Sequence, residues 1–281
     1  MEASGCMTQY HLSDTMAANI AVHSGLADKY NDVEPHFRPE NQEKVRGRLA
    51  RLREDVPGGR LLDVGCGTGF IIHLAVDLFD EVHGVDITPA MMAQVQTDRG
   101  NVTLHNAPAE ALPFSDASFD AVTAYSFIDH LDDPAAVLAE VFRVLRPGGV
   151  FYADLIPNRL FWQALTDLGD HSGLADIVGR EQRMVTGNAK IVQETYGIDS
   201  RTFIAAEPGK KQGGILPASF RAQALAVGFS SCETHFDWFL GQGAVTHGQS
   251  FADADIIGTY LRRVAPLADH LFKYVYFIVR K

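Results

Sequence analysis

The sequence predicts an α/β fold, a mostly parallel sheet with helices on both faces. Three observations carry this reading. Strand-like and helix-like segments alternate with short connections from about residue 60 to residue 157. The first strand-like run is apolar and ends in a glycine cluster at residues 65–69. The second ends on an acidic residue, Asp86.

The elements follow in order. Leu61-Leu62-Asp63-Val64 is a short apolar run of the kind that forms a buried parallel strand. A helix is expected from Phe70 to about Phe79, then a strand at Val82–Asp86. Pro89 opens the next helix, because the first helical turn does not need its missing N–H. Residues 101–105 and Phe119–Tyr125 read as the third and fourth strands. Asp132-Asp133-Pro134 caps a helix with an apolar face of Val137, Leu138, Val141, Val144 and Leu145. Arg146-Pro147-Gly148-Gly149 breaks that helix, and residues 150–156 form the fifth strand.

The pattern loosens outside this block. A helix is expected at residues 41–56, preceded by an ambiguous segment. Residues 160–168 read as helix and 190–205 as a β-rich stretch. Then come a helix at Pro217–Val227, a strand at residues 229–239, a helix at 256–261 and a strongly β-prone run at 274–279.

Composition bounds the function. The chain has 281 residues, 46% of them apolar, enough for a sizeable core and against global disorder. No stretch approaches the apolar length of a spanning helix, and the N-terminus lacks a basic region followed by an apolar block. A cytoplasmic protein without membrane contact is expected. With 24 Lys and Arg against 35 Asp and Glu the net charge is −11, which repels phosphate backbones and disfavours nucleic acid. Cys6, Cys66 and Cys232 are odd in number and far apart, which argues for free thiols and against a disulfide scaffold or metal site.

The glycine turn, Asp63-Val64-Gly65-Cys66-Gly67-Thr68-Gly69, lets the backbone turn tightly and approach a ligand closely. Asp86, 21 residues after Gly65, stands where an acidic side chain accepts from a ribose diol. Together they point to a nucleoside ligand. The spacing is G-x-G-x-G, and Phe70 occupies the place of a dinucleotide binder's third glycine. A nicotinamide dehydrogenase is thereby disfavoured, and no Lys-Ser/Thr follows to make a phosphate loop.

Four blocks in this order resemble the class I S-adenosylmethionine-dependent methyltransferases, in the small-molecule branch that includes the ubiquinone and menaquinone biosynthesis enzymes. They are residues 61–69, 84–92, 109–120 and 144–149. The resemblance implies a Rossmann-like, seven-stranded, mostly parallel sheet whose last strand is antiparallel and lies beside the fifth. It also implies S-adenosyl-L-methionine as cofactor. Carried over by position, Asp63, Gly65 and Gly67 surround the methionine moiety and Asp86 holds the ribose. Ile87 and Leu112 flank the adenine, and the Ala109 N–H meets a ring nitrogen. Cys66, Gly69, Met91, Glu110 and Tyr125 complete the expected cofactor site. Many relatives carry Asp before that alanine, and this chain has Pro108; either Glu110 substitutes or the adenine amino group loses a partner.

Methyl transfer is an in-line displacement that needs a base only if the nucleophile must shed a proton. His130, just after the fourth strand, is the candidate base, with Asp129 beside it; the alternative is a structural hydrogen-bonder near the next helix. Metal-dependent relatives need an Asp-Asn pair where this chain has Asp154-Leu155, so no metal is expected. The Asn-Pro-Pro-Tyr block of amide and base methyltransferases is absent. Residues 1–57 are expected to form a helical lid and 58–281 the methyltransferase domain, with acceptor-site insertions at 158–215 and 241–270. Tyr10, Tyr30, His36, Asp129, Phe161, Trp162, Tyr196 and Trp238 are the candidate acceptor-pocket residues, their aromatics suited to a planar or largely apolar small molecule. A homodimer is compatible with this reading, as is a protein of the same fold that binds the cofactor without methylating.

Overall fold

The computed structural model describes residues 13–168, 178–179, 200–206, 208–211 and 213–281. Seven strands form one sheet: β1 (Arg60–Val64), β2 (Glu81–Asp86), β3 (Val102–Asn106), β4 (Phe119–Tyr125), β5 (Leu145–Pro157), β6 (Ser231–Phe239) and β7 (Phe272–Arg280). Their order is β3-β2-β1-β4-β5-β7-β6. Strands β1 to β5 pair in parallel, and β7 runs antiparallel between β5 and β6. Chain order reverses where β1 lies between β2 and β4, which opens a crevice at their carboxyl ends.

Period-two alternation divides the core between the two faces. Leu62, Val122 and Phe151 face the Pro134–Val144 and Pro217–Val227 helices through Val137, Val141, Phe220 and Ala224. Leu61, Ala121 and Val150 face the Pro39–Asp55 and Phe70–Ala75 helices through Val45, Leu49 and Ile71. Both faces are covered, as a parallel sheet requires.

The Pro39–Asp55 helix is also held by charge. Arg48 bridges Asp154 at the end of β5 (2.7 Å) and Asp237 on β6 (2.8 Å), while Lys44 reaches the same Asp237 oxygen at 2.8 Å. Burial opposes ionisation of Asp237, but Lys44 and Arg48 overcome it and hold its carboxyl down to about 2. Arg48 also lies over the Tyr276 ring at 4.0 Å.

Several boundaries differ from expectation. The helix after the glycine turn ends at Ala75, with turns to Leu78. Strand β5 begins at Leu145, because Leu145 already pairs with Phe119 before a register shift at Ala121. The Phe251–Arg263 helix is longer than its central apolar residues suggested, and Ser250 caps it by accepting from the Asp253 N–H. The expected β-rich stretch is corrected at its end: Ser200–Ala206 is a helix, and residues 190–199 lie outside the described residues. Thr202 and Phe203 favour strand locally, but Phe203 and Ala206 at helical spacing pack against Ala18, Val22 and Leu26. Those residues belong to the Asp14–Leu26 helix, which occupies the segment that was ambiguous in sequence.

Among the described residues no helix is long and apolar enough to cross a membrane. Among the same residues, no group of three or more His, Cys, Asp or Glu could hold a metal ion.

Candidate active site

The crevice at the switch point is an open cleft. Its floor is the turn after β1. The Gly65 and Cys66 N–H groups both donate to the Val85 carbonyl, at 2.8 and 3.0 Å, which folds the turn onto β2. Gly65, Gly67 and Gly69 have φ of 70°, 50° and 86°, the left-handed region that suits glycine. Gly65 is also fixed by space, since a Cβ there would stand 2.2 Å from the Phe127 ring.

Two carboxylates flank the turn. Asp63 accepts from the Thr123 hydroxyl at 2.7 Å, and its burial pushes the carboxyl up to about 8. Asp86 ends β2 and accepts from the N–H groups of Gly67 (2.9 Å) and Thr88 (2.7 Å). Burial raises its pKa despite these bonds. The Thr88 hydroxyl also donates to this carboxylate, and capacity remains for a further donor.

One wall is aromatic. The His36 ring lies 4.7 Å from Phe37, 4.9 Å from Phe70, 5.5 Å from Tyr125 and 5.9 Å from Tyr30. Burial pushes the His36 imidazole down to about 4, so it is neutral near pH 7. Burial likewise raises the Tyr125 phenol and the Cys66 thiol well above their usual ranges, so neither is an ionised nucleophile. His130 also lines the cleft, from a short 3-10 turn (Ile128–His130) after β4, with its ring 5.2 Å from that of His23.

The structure therefore brings Asp63, Gly65, Cys66, Gly67, Asp86, Ile87, Met91, Ala109, Glu110, Tyr125, Tyr30, His36 and His130 to one cleft. Others expected there lie elsewhere. Gly69 is the left-handed cap of the Phe70–Ala75 helix and faces Val95. Leu112 is packed in the core, and its N–H donates to Glu140 at 2.8 Å. Asp129 is 1% exposed and covered at Gly209, where a Cβ would stand 2.7 Å from its Cα. Phe161 is buried against Trp162, and Trp238 lies under the Lys44 ammonium at 4.9 Å, so these aromatics pack the additions to the sheet. Tyr10 and Tyr196 lie outside the described residues. Not foreseen as site residues were Asn19, His23 and Phe127. No local signal marks Asn19 or His23, because apolar residues lie all round the Asp14–Leu26 helix and single out no face.

Residues 62–153 match the family described as "Methyltransferase domain". A Mycolicibacterium smegmatis protein named as a probable S-adenosylmethionine-dependent methyltransferase is 39% identical over 110 residues, 39% of this chain and 42% of that protein. The ubiquinone biosynthesis O-methyltransferase of Pseudomonas fluorescens is 32% identical over 154 residues, 52% of this chain and 66% of that protein. This chain carries a class I S-adenosylmethionine-dependent methyltransferase domain. The matched part spans about two fifths to two thirds of these relatives' length. Among solved structures, the [4+2]-cyclase SpnF shares the fold with a TM-score of 0.58 at 17% identity, over 96% of this chain and 97% of that one.

The residues of the methyltransferase domain fit its cofactor. Gly67 lines the cleft, and a Cβ built there would meet only the Met91 methyl, in ordinary contact at 3.5 Å. The half-buried Asp86 carboxylate and the buried Asp63 carboxyl offer oxygen acceptors to donors of a ligand in the cleft.

Proposed function

We propose that the protein transfers the methyl group of S-adenosyl-L-methionine to an oxygen, nitrogen or acidic carbon of a small-molecule acceptor. The single observation that carries this reading is that His130 shares one cleft with the glycine turn and Asp86. When bound, the cofactor supplies an electrophilic methyl group on a sulfonium. Asp86 would hold the ribose hydroxyls, and Asp63 with the Gly65–Gly67 turn the methionine end. The Ala109 backbone and Ile87 would border the adenine, with Glu110 beside them in place of the aspartate that Pro108 displaces. The aromatic wall of Tyr30, His36, Phe70 and Tyr125 would exclude water and suit a planar or largely apolar acceptor. His130 accepts the acceptor's proton as the new bond to the methyl carbon forms.

The test incubates the full chain with methyl-labelled cofactor and panels of phenols, amines and carbon acids, and reads label in the organic product and release of S-adenosylhomocysteine. His130→Gln should lower turnover by about 10²–10⁴ with cofactor affinity unchanged. Undiminished turnover would remove His130 as base. The fold neighbour SpnF motivates a second reading, a protein that binds the cofactor without methylating. Tight cofactor binding with no label transfer to any acceptor would favour it.

A further inference from the structure

Asn19 sits in the second turn of the Asp14–Leu26 helix and is 7% exposed. A buried amide must find partners for its hydrogen-bonding atoms. Its Nδ2 donates to the Thr15 carbonyl at 3.1 Å and lies 3.5 Å from the His130 carbonyl. Both carbonyls can only accept, so the amide nitrogen faces them and Oδ1 is turned toward His130. Asn19 Oδ1 lies 3.0 Å from His130 Nδ1, and the Ala206 carbonyl reaches the same nitrogen at 3.0 Å. Two acceptors without protons converge on one ring nitrogen, and only a protonated Nδ1 satisfies them. In the neutral ring the lone pair is then on Nε2.

We propose that Asn19 is a positioning residue for methyl transfer: with the Ala206 carbonyl it holds His130 in the Nδ1–H form, so that Nε2 receives the proton. This rests on the reading of His130 as the base. It also narrows the acceptor to one whose nucleophilic atom begins protonated, such as a hydroxyl, an enol or an amine N–H, over a tertiary amine or thioether.

Both oxygens come from outside the strands, one from the Asp14–Leu26 helix and one from the Ser200–Ala206 helix. The two helices pack together through Ala18, Val22, Leu26, Phe203 and Ala206. Thr15 donates to Asp132 at 2.7 Å, which tethers the first helix to the loop that carries His130. The Asp14–Leu26 helix therefore both borders the cleft and orients the imidazole. The groups that face His130 are the His23 ring, edge-on at 5.2 Å, and the Asp86 carboxylate, with Asp129 and Asp132 on its own loop.

The experiment uses the full chain with ¹⁵N-labelled histidine, and His130 is assigned by its loss in His130→Gln. Two-bond ¹H–¹⁵N spectra, recorded above the imidazole titration range, should show the Nδ1–H tautomer in the wild type. Asn19→Asp places a carboxylate on that N–H and should move the His130 titration, and the acid limb of kcat, up by about one pH unit. Asn19→Leu removes the acceptor at similar size; it should lower kcat while leaving cofactor affinity unchanged, and Asn19→Asp should recover part of the loss at high pH. An Nε2–H tautomer in the wild type would overturn the proposal. So would a His130 titration in Asn19→Asp that coincides with the wild type. The two readings separate: undiminished turnover in His130→Gln sinks the base itself. Loss in His130→Gln with an unmoved titration in Asn19→Asp sinks only the role of Asn19.

Discussion

Replacing Gly65 with alanine tests the floor of the cleft. The new Cβ would stand 2.2, 2.6 and 2.9 Å from three Phe127 ring carbons, at a φ of 70° that an L side chain rarely adopts. The left-handed backbone costs about 1–2 kcal/mol and overpacking about 1–3, so Gly65→Ala should lose about 2–5 kcal/mol. Gly100 separates the two effects. Its φ is 81°, but nothing lies within 4 Å of a built Cβ, so Gly100→Ala should cost only the backbone part, about 1–2 kcal/mol. Phe127 lines the cleft, so any ring movement that relieves the clash reshapes the site. Urea denaturation gives the stabilities, and calorimetry with S-adenosylhomocysteine gives the affinities. Gly65→Ala should be the less stable variant and the weaker binder, with Gly100→Ala binding as the wild type. Equal stability and affinity in the two variants would refute the argument from space.

Other predictions follow from charge. Asp86→Ala should weaken S-adenosylhomocysteine binding about 10- to 100-fold, from one or two charge-assisted hydrogen bonds, and unchanged affinity would count against the ribose assignment. Asp63 binds its proton more tightly folded, near pH 8, than unfolded, near its ordinary 3.8. The folded state therefore holds more protons between those values, and the free protein loses stability as pH rises through that window. Asp63→Asn keeps an oxygen for Thr123 and should flatten that decline; parallel denaturation curves from pH 4 to 8 would contradict it. Arg48→Met leaves Asp154 without its cation and Asp237 with Lys44 alone, both carboxylates being under 10% exposed. It should cost about 3–5 kcal/mol in urea, and a loss below about 1 kcal/mol would show the cluster to be dispensable.

Legibility in the sequence followed the range of the interactions. Strands β1 and β2 are short β-prone runs bounded by glycines or acidic residues, and β4 is an apolar run between Ser118 and Ser126, so a local window reveals them. Gly65 and Gly67 adopt left-handed backbone in a tight turn, and Asp86 ends a strand, so their residue types could be read the same way although their partners are remote. The Ser200–Ala206 helix could not, because its form depends on contact with Ala18 and Val22, remote in sequence. The same holds for Asn19 and His130, 111 residues apart, which meet only through the packing of two added helices. Aromatic character alone could not separate His36, in the cleft wall, from Phe161 and Trp238, which fill space away from it. An aromatic ring suits both roles equally well.

The most direct measurement is a crystal structure of the full chain with S-adenosylhomocysteine. The ribose hydroxyls are predicted within hydrogen-bond distance of Asp86, the adenine beside Ile87 and Ala109, and the homocysteine end over Gly65–Gly67 toward His130. A nucleoside bound outside this cleft, or one whose ribose does not touch Asp86, would contradict the account.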